Sequence, residues 1–473
     1  MKLMENMGVA DPRVALVEAA SGYGDGNGTC SVATMLNRAA MLLGWHEHDR
    51  GALGNIIRPG EKVVVKPNLV LHANQGPSGI EPLVTHPSLI KAAVASALKA
   101  GASEVIVGDA PLQSCDFQNL LERTGLKEWA EGMSRHDPRF KGIRDFRRTT
   151  CVSVNGVRMA SENLQPEADF VLFDLGEESL LEAISETQGA FRVTCYDPRL
   201  MIRTHTLGRH QYLVAKEIIE ADVVINLPKL KTHKKAGVTC ALKNLVGING
   251  NKEYLPHHRV GGSETGGDCY PGRSVVKRSI ERILDLQNSV TSHSIGLFLH
   301  GLAAPLYQML KFSKDCTGLE GSWSGNDTIW RTCLDLNRIL LYGRTDSTLG
   351  KTVQRKVVHV VDAIIAGQGD GPLAPTPFPL GVMVVGNNPA AVDHVGAHLL
   401  GYDPEKIRLI RSAFGLRDRP IASFTPCEIQ LCGDWGLGHP QAILTKRAKT
   451  NIAHPVGWED VAMTDERHGV QAT

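Results

Sequence analysis

Residues 225–258 read INLPKLKTHKKAGVTCALKNLVGINGNKEYLPHH. Lys229, Lys231, Thr232, His233, Lys234 and Lys235 follow at once on the apolar run 223–227. Lys243, Asn244, Lys252, His257, His258 and Arg259 come next, and Glu253 is the one acid among them. Ammonium groups gathered past a strand end suit an anion, because they offer both charge and hydrogen-bond donors to phosphate, carboxylate or enolate oxygens. The spacing predicts a helix over roughly 237–246, whose N-terminal dipole would add to that field. Such a helix would set Thr239 and Lys243 on one face with Asn244 beside them. In this setting Lys229 and Lys243 are candidate anion binders, Lys231 a candidate for polarising a reacting oxygen, and His233 a candidate acid or base. The plain alternative is a solvated charged turn, and the density of donors against a single acid weighs against it.

Carboxylates stand at other strand ends. Asp109 follows VIVG, Asp362 follows VVHVV, Asp370 lies in GQGDGP, and Asp393 falls in the first turn of a helix-like stretch. Each alone reads as a cap or turn residue. Facing a lysine cluster, Asp109 becomes a candidate proton acceptor, and Asp362 with Asp370 a candidate divalent-metal pair. Lys66 and Asn68 in VKPNLV, and Thr85 and His86 in VTHP, join the candidate ligand-binding set. The glycine-rich stretch 21–30, SGYGDGNGTC, lies between a strand and a helix but does not fit G-x-G-x-x-G; it is a weaker candidate for contacting phosphate. STLGKT at 347–352 lacks the first glycine of a P-loop and reads as a turn.

These residues need elements to hold them, and 473 residues are enough for a large core. Short β-branched runs recur, each followed by Gly, Asp, Asn or Pro and then a helix-like stretch: 14–20, 61–70, 104–110, 169–175, 222–228, 356–364 and 381–389. This pattern predicts an α/β fold, a mostly parallel sheet with helices on both faces, with ligands bound outside the carboxyl ends of its strands. The rhythm breaks over 261–352, which is expected to form a smaller, mainly helical inserted lobe. The expected organisation is an α/β core in two parts, 1–260 and 353–415, separated by that lobe and followed by a C-terminal extension, 416–473.

With 51 Lys+Arg against 50 Asp+Glu the chain has no general field for nucleic acid. Ten cysteines show no CxxC pair, which argues against a built-in iron–sulfur cluster or zinc knuckle. No apolar leader opens the sequence, so a cytoplasmic protein is expected. The apolar stretch 295–312 is broken by His300 and Pro305; no transmembrane segment is expected, and the stretch reads as a buried or partner-facing helix, with peripheral membrane contact as its alternative.

The segments VVVKPNLV, THPSLIKAAVASALKAGASEVIVGDAP, ADVVINLPKLKTHKKAGVTCALKNLVGINGNKEYLPHH and VVDAIIAGQGDGP…VMVVGNNPAAVDHVGAHLLGYDPEKI occur in this order and closely resemble the DUF362 family. The family pattern matches Lys66, Pro67, Asn68, Thr85, His86, Asp109, Lys229, Lys231, His233, Lys243, Asn244, Gly247, Asp362 and Asp393, naming them as a set without roles. Many members carry ferredoxin-like cysteine runs, which this sequence lacks. The resemblance and the residues together lead to the expectation of an enzyme, an oxidoreductase or an isomerase, acting on an anionic small molecule. It would use a divalent metal, an external electron donor, or proton transfer alone. The alternative is a ligand-sensing or scaffold protein that meets a protein partner through 261–352.

Overall fold

Residues 63–65, 105–107 and 223–225 are apolar at every position because alternate residues of each run enter different cores. Val63, Val65, Val105, Val107, Val223 and Ile225 pack into one; Val64, Ile106 and Val224 pack into the other. A strand covered on both faces has no solvent side for polar residues. The structure is a computed structural model, and it describes residues 7–19, 22–23, 31–154, 157–187, 189–290, 292–312, 318–447 and 451–463.

The principal sheet comprises β1 (Arg13–Glu18), β2 (Lys62–Pro67), β3 (Glu104–Asp109), β4 (Phe140–Asp145), β5 (Val223–Leu227), β6 (Lys229–His233), β7 (Gly237–Thr239), β8 (Lys356–Asp370), β9 (Ala374–Phe378), β10 (Val382–Gly386) and β11 (Gln430–Gly433). Its order is β11-β1-β10-β8-β5-β2-β3-β4, with β6 and β9 branching from β8 and β7 pairing with β6. The run β8-β5-β2-β3-β4 is parallel throughout, whereas β10 lies antiparallel to both β8 and β1. The fold is α/β with a mixed, mostly parallel sheet. The parallel run brings the ends of β2, β3 and β5 to one rim.

Helix α1 (Val32–Leu43) and helix α2 (Pro87–Ala100) cover one face. His86 is the N-cap residue of α2, Pro87 occupies its first turn, and Gly101 ends it at φ +101°. The predicted helix over 237–246 is instead a hairpin of β6 and β7, a short helix α3 (Ala241–Asn244) and a 3₁₀ turn. Gly237 turns the chain at φ +81°, and a Cβ there would come within 2.6 Å of the Trp458 ring. The β-branched residues Val238 and Thr239 then pair with Thr232 and Lys231, and this ladder outweighs local helix propensity.

The segment 261–352 contributes in two ways. Helices α4 (Val275–Ser289) and α5 (His293–Phe312) pack on each other at the surface. Helix α6 (Ile329–Tyr342) is buried in the main core, where Asp335 accepts hydrogen bonds from Ser179 Oγ (2.5 Å) and Tyr212 OH (2.9 Å). Residues 416–463 supply the edge strand β11 and the Trp458 ring beneath Gly237. Among the described residues no helix is long and apolar enough to cross a membrane.

Helix α7 (Pro389–Leu399) carries Asp393 one turn deeper than the sequence suggests. Its Oδ1 accepts the backbone N–H groups of Ala241 (2.6 Å) and Leu242 (3.3 Å), tethering the start of α3. Burial raises the Asp393 carboxyl from 3.8 to about 7 against the pull of these donors. The folded state therefore holds the proton more tightly than the unfolded chain, and stability drains away as pH rises from about 4 to about 7. Asn keeps an acceptor oxygen without the charge. Asp393→Asn is expected to remove this dependence and to be more stable than wild type at pH 8 by on the order of 2–4 kcal/mol. Urea unfolding at pH 5 and pH 8 measures it; an equal loss of stability at both pH values would contradict it.

Candidate functional site

Five strands, β2, β3, β5, β6 and β8, supply the site. Lys66 ends its strand in register with Asn226 on β5, and Asn226 is in register with His359 on β8. Lys229 on β6 sits opposite Asp362 on β8, and Lys231 opposite Gly367. Gly367 leaves room for the Lys231 stem, since a Cβ there would lie 2.7 Å from Lys231 Cβ.

Two buried ion pairs anchor the arrangement. Lys66 Nζ donates to Asp109 Oδ1 at 2.6 Å, to the Pro67 carbonyl at 2.9 Å and to Asn244 Oδ1 at 3.2 Å; Asp109 Oδ2 accepts from Leu69 N–H at 2.6 Å. Burial opposes both charges, pushing Asp109 up and Lys66 down, while their contact pulls each back. In the second pair Lys229 Nζ donates to Asp362 Oδ2 at 2.9 Å and to Tyr23 OH at 2.7 Å. Asp362 also accepts from Tyr23 OH (2.5 Å) and from the His86 backbone N–H (2.8 Å). The Tyr23 ring stacks on the His86 imidazole, centroids 3.7 Å apart. Burial and the Asp362 charge raise the Tyr23 hydroxyl, so it stays a phenol.

Neutral groups join the pairs. Lys231 Nζ donates to Asn68 Oδ1 (2.9 Å) and to the Leu83 carbonyl (2.5 Å). Asn68 Nδ2 donates to Asn244 Oδ1 (3.1 Å), Asn244 Nδ2 to Asn226 Oδ1 (2.7 Å), and Asn226 Nδ2 to His359 Nδ1 (3.0 Å). Thr85 Oγ1 accepts from Asn68 N–H (2.9 Å) and donates to the Leu227 carbonyl (2.6 Å). Each amide is thereby fixed in one orientation.

Lys243 differs from its neighbours. It is 8% exposed, and its ammonium has no hydrogen-bond or ion-pair partner among the described residues. Burial lowers it below the usual lysine range, and Lys235 and Lys66 repel it further. Cys333 would offset it only as a thiolate, but burial pushes that thiol up to about 12. Thr239 Oγ1, opposite Lys231 across the hairpin, is also buried without a partner among the described residues. Lys235 Nζ donates to Thr194 Oγ1 (2.8 Å) and Lys252 Nζ to the Thr194 carbonyl (3.1 Å).

Two histidines near Lys243 hold opposite tautomers. His233 Nδ1 accepts the N–H groups of Lys235 (3.0 Å) and Ala236 (3.2 Å), so its proton sits on Nε2 as a donor. His257 Nδ1 lies 2.6 Å from the Leu255 carbonyl, which only accepts, so its proton is on Nδ1 and Nε2 carries a lone pair. Burial, reinforced by the Lys243 charge, lowers both well below the usual range and keeps them neutral.

Of the residues singled out by sequence, Lys66, Asn68, Thr85, Asp109, Lys229, Lys231, Asn244 and Asp362 share one network, with His233 and Lys243 beside it. His86 contributes its backbone N–H and ring stacking; its Nδ1 is engaged by Ser88 Oγ (2.7 Å), and burial lowers it to about 4. Asp370 lies apart from Asp362, exposed and paired with Lys234 at 3.2 Å. The expected Asp362–Asp370 metal pair is therefore not assembled, since Asp362 is closed by Lys229 and Tyr23 while Asp370 faces Lys234. Among the described residues no three or more His, Cys, Asp or Glu side chains group to hold a metal ion. Sequence reading missed Tyr23, whose signal was a lone aromatic in the glycine-rich loop, and Asn226, a polar residue inside an apolar strand. Most of that loop lies outside the described residues. An open groove of about 1280 Å³, lined by His72, Gln113, Asp116 and Arg147 among others, adjoins the site but includes none of its lysines.

Gly247 has no room for a side chain: a Cβ would lie 2.0 Å from Asp109 Oδ1 and 2.6 Å from Lys66 Nζ. Gly247→Ala is expected to cost about 1–3 kcal/mol by overpacking, read as a lower midpoint in thermal unfolding. Gly132→Ala, with open space around it, serves as the control. Equal behaviour of the two variants would show that the Lys66–Asp109 pair moves aside freely.

A family model described as a domain of unknown function (DUF362) matches residues 63–171 and 174–398, a span that includes β2, β3, β5, β6 and β8 and all the network residues except Tyr23. A thylakoid-associated protein of Synechocystis sp. is 25% identical over 214 residues, 45% of this chain and 47% of that protein, so the chain spans about half the length of the curated relative it matches. A crystal structure of a Thermotoga maritima protein aligns over 77% of this chain and 57% of its own, at 10% identity and a TM-score of 0.31. With most of its length matched by the family model, the chain belongs to the DUF362 family.

Proposed function

We propose that the protein is an enzyme that binds a small organic anion, a phosphate or carboxylate, beside Lys231 and Lys243 and moves a proton on it. The observation that carries this reading is Lys243, a residue only 8% exposed whose ammonium has no partner among the described residues. A buried cation without a counter-charge is costly, and an arriving anion removes that cost. His233 Nε2–H then donates to ligand oxygen. His257 Nε2 accepts a proton from carbon or oxygen next to the anionic group, and the lysines stabilise the negative charge that develops. Asp109 and Asp362 hold Lys66 and Lys229 in place rather than taking the proton, because each already accepts from a lysine.

A second reading is favoured by α5. Its outer face exposes Ile295, Leu297, Leu302 and Met309 along with Phe298 (65%) and Phe312 (86%), and the helix itself carries no acid. An apolar helix face of this kind suits the interfacial layer of a lipid surface, in keeping with the name of the thylakoid-associated relative. Phe298→Glu with Phe312→Glu is expected to abolish co-sedimentation with phosphatidylglycerol vesicles. Unchanged sedimentation, or none by wild type, would remove this reading.

Lys243→Met tests the anion site. The substitution replaces an unpaired buried charge by an apolar chain of similar size, so the ligand-free variant is expected to be at least as stable as wild type. Inorganic phosphate or acetate at a hundred times its Kd is expected to stabilise wild type by about 2.7 kcal/mol and the variant not at all. Equal thermal shifts in the two proteins would refute the site.

A further inference from the structure

The lysines of this rim fall into two groups, and their counter-charges do not match them. Lys66 and Lys229 are closed by Asp109 and Asp362. Lys231, Lys235, Lys243 and Lys252 have no ion pair among the described residues. Lys231 is held by an amide and a carbonyl oxygen on the sheet side. Lys235 and Lys252 converge from the other side on one residue, Thr194, through its hydroxyl and its carbonyl. Lys243 lies between, within electrostatic reach of both Lys66 and Lys235. Two acids are near. Glu320 offsets Lys235 at longer range. Glu253 is already engaged by Tyr196 OH and, at 2.8 Å, by Asn251 Nδ2. Four ammonium groups thus face two carboxylates, neither in contact with any of them, a surplus of two.

We infer that the ligand carries two separate anionic groups, as a phosphorylated carboxylate does, one held by Lys231 and Lys243 and the other by Lys235 and Lys252. The inference rests on the reading that this site binds an anion, and it adds the ligand's class and span. A single carboxylate held by Lys231 and Lys243 would leave Lys235 and Lys252, both half-buried, on Thr194 with no counter-charge in contact. A phosphate and a carboxylate on one short skeleton bring at least two negative charges, enough to offset that surplus, and meet both lysine groups at once. Binding the first group places the second at high effective concentration, so the two affinities reinforce each other. Burial and mutual repulsion press Lys231, Lys235 and Lys243 below the usual lysine range, the response of cations gathered without counter-charge.

Titration calorimetry of the full chain with acetate, inorganic phosphate and phosphonoacetate tests this. Phosphonoacetate is expected to bind at least tenfold tighter than either single-group probe. Lys252→Gln, a change at a partly exposed position that leaves the thermal midpoint in place, is expected to cost at least tenfold in phosphonoacetate affinity. It should leave the better single-group probe within twofold of wild type, and Lys243→Met should weaken all three. Phosphonoacetate binding no tighter than phosphate, with both still weakened by Lys243→Met, would overturn the two-group inference while leaving the anion site standing. Failure of every probe to bind wild type would take down both.

Discussion

Ammonium groups withdrawn from water are the constraint around which this fold is arranged. Lys66, Lys229 and Lys231 are fully buried and Lys243 nearly so. Removing a lysine charge from water costs several kcal/mol unless it is paired and hydrogen-bonded. Two of the four meet carboxylates, one meets only neutral oxygens, and one meets nothing among the described residues. This gradient from fully paired to unpaired gives the site a direction, with its structural end at Asp109 and Asp362 and its open end at Lys243.

The scaffold around the lysines is correspondingly tight. Gly247 and Gly367 are places where a methyl group would strike the Lys66–Asp109 pair or the Lys231 stem. Asp393 fixes the first N–H groups of α3, the short helix that presents Lys243 and Asn244 together. Asn68, Asn244 and Asn226 carry one hydrogen-bonded chain from Lys231 to His359, so the shape of the rim depends on residues from four strands and the α3 turn. Rotating one amide would leave a donor facing a donor, and in a buried network that error is expensive.

The two histidine tautomers show how little separates a donor from an acceptor here. His233, buried, and His257, half-buried, are both neutral near the same lysine, yet backbone groups set their protons on opposite nitrogens. His233, the histidine the sequence pointed to, is a hydrogen-bond donor toward its free side, and His257 holds the lone pair. The difference arises from one hairpin turn, where N–H groups point at His233, and from one carbonyl at Leu255.

The sequence by itself determined the sheet and most of the cast. Short apolar runs bounded by turn residues read as strands covered on both faces, and His86, Pro87 and Gly101 mark the ends of α2. Lysines packed behind one such run had to come to its carboxyl end, because strand direction and residue order leave no other place. Only the tertiary structure decided the pairing. Asp109 and Asp370 look alike as strand-end acids, yet one is buried on Lys66 and the other sits in solvent on Lys234. Within 237–246 the first three residues obey a ladder with β6 and helix forms only from Ala241, since long-range pairing and the Trp458 ring outweigh local propensity at Gly237–Thr239. Tyr23 reaches Asp362 from 339 residues away, and no local pattern encodes such a meeting, because sequence fixes which groups are polar while packing fixes which of them touch.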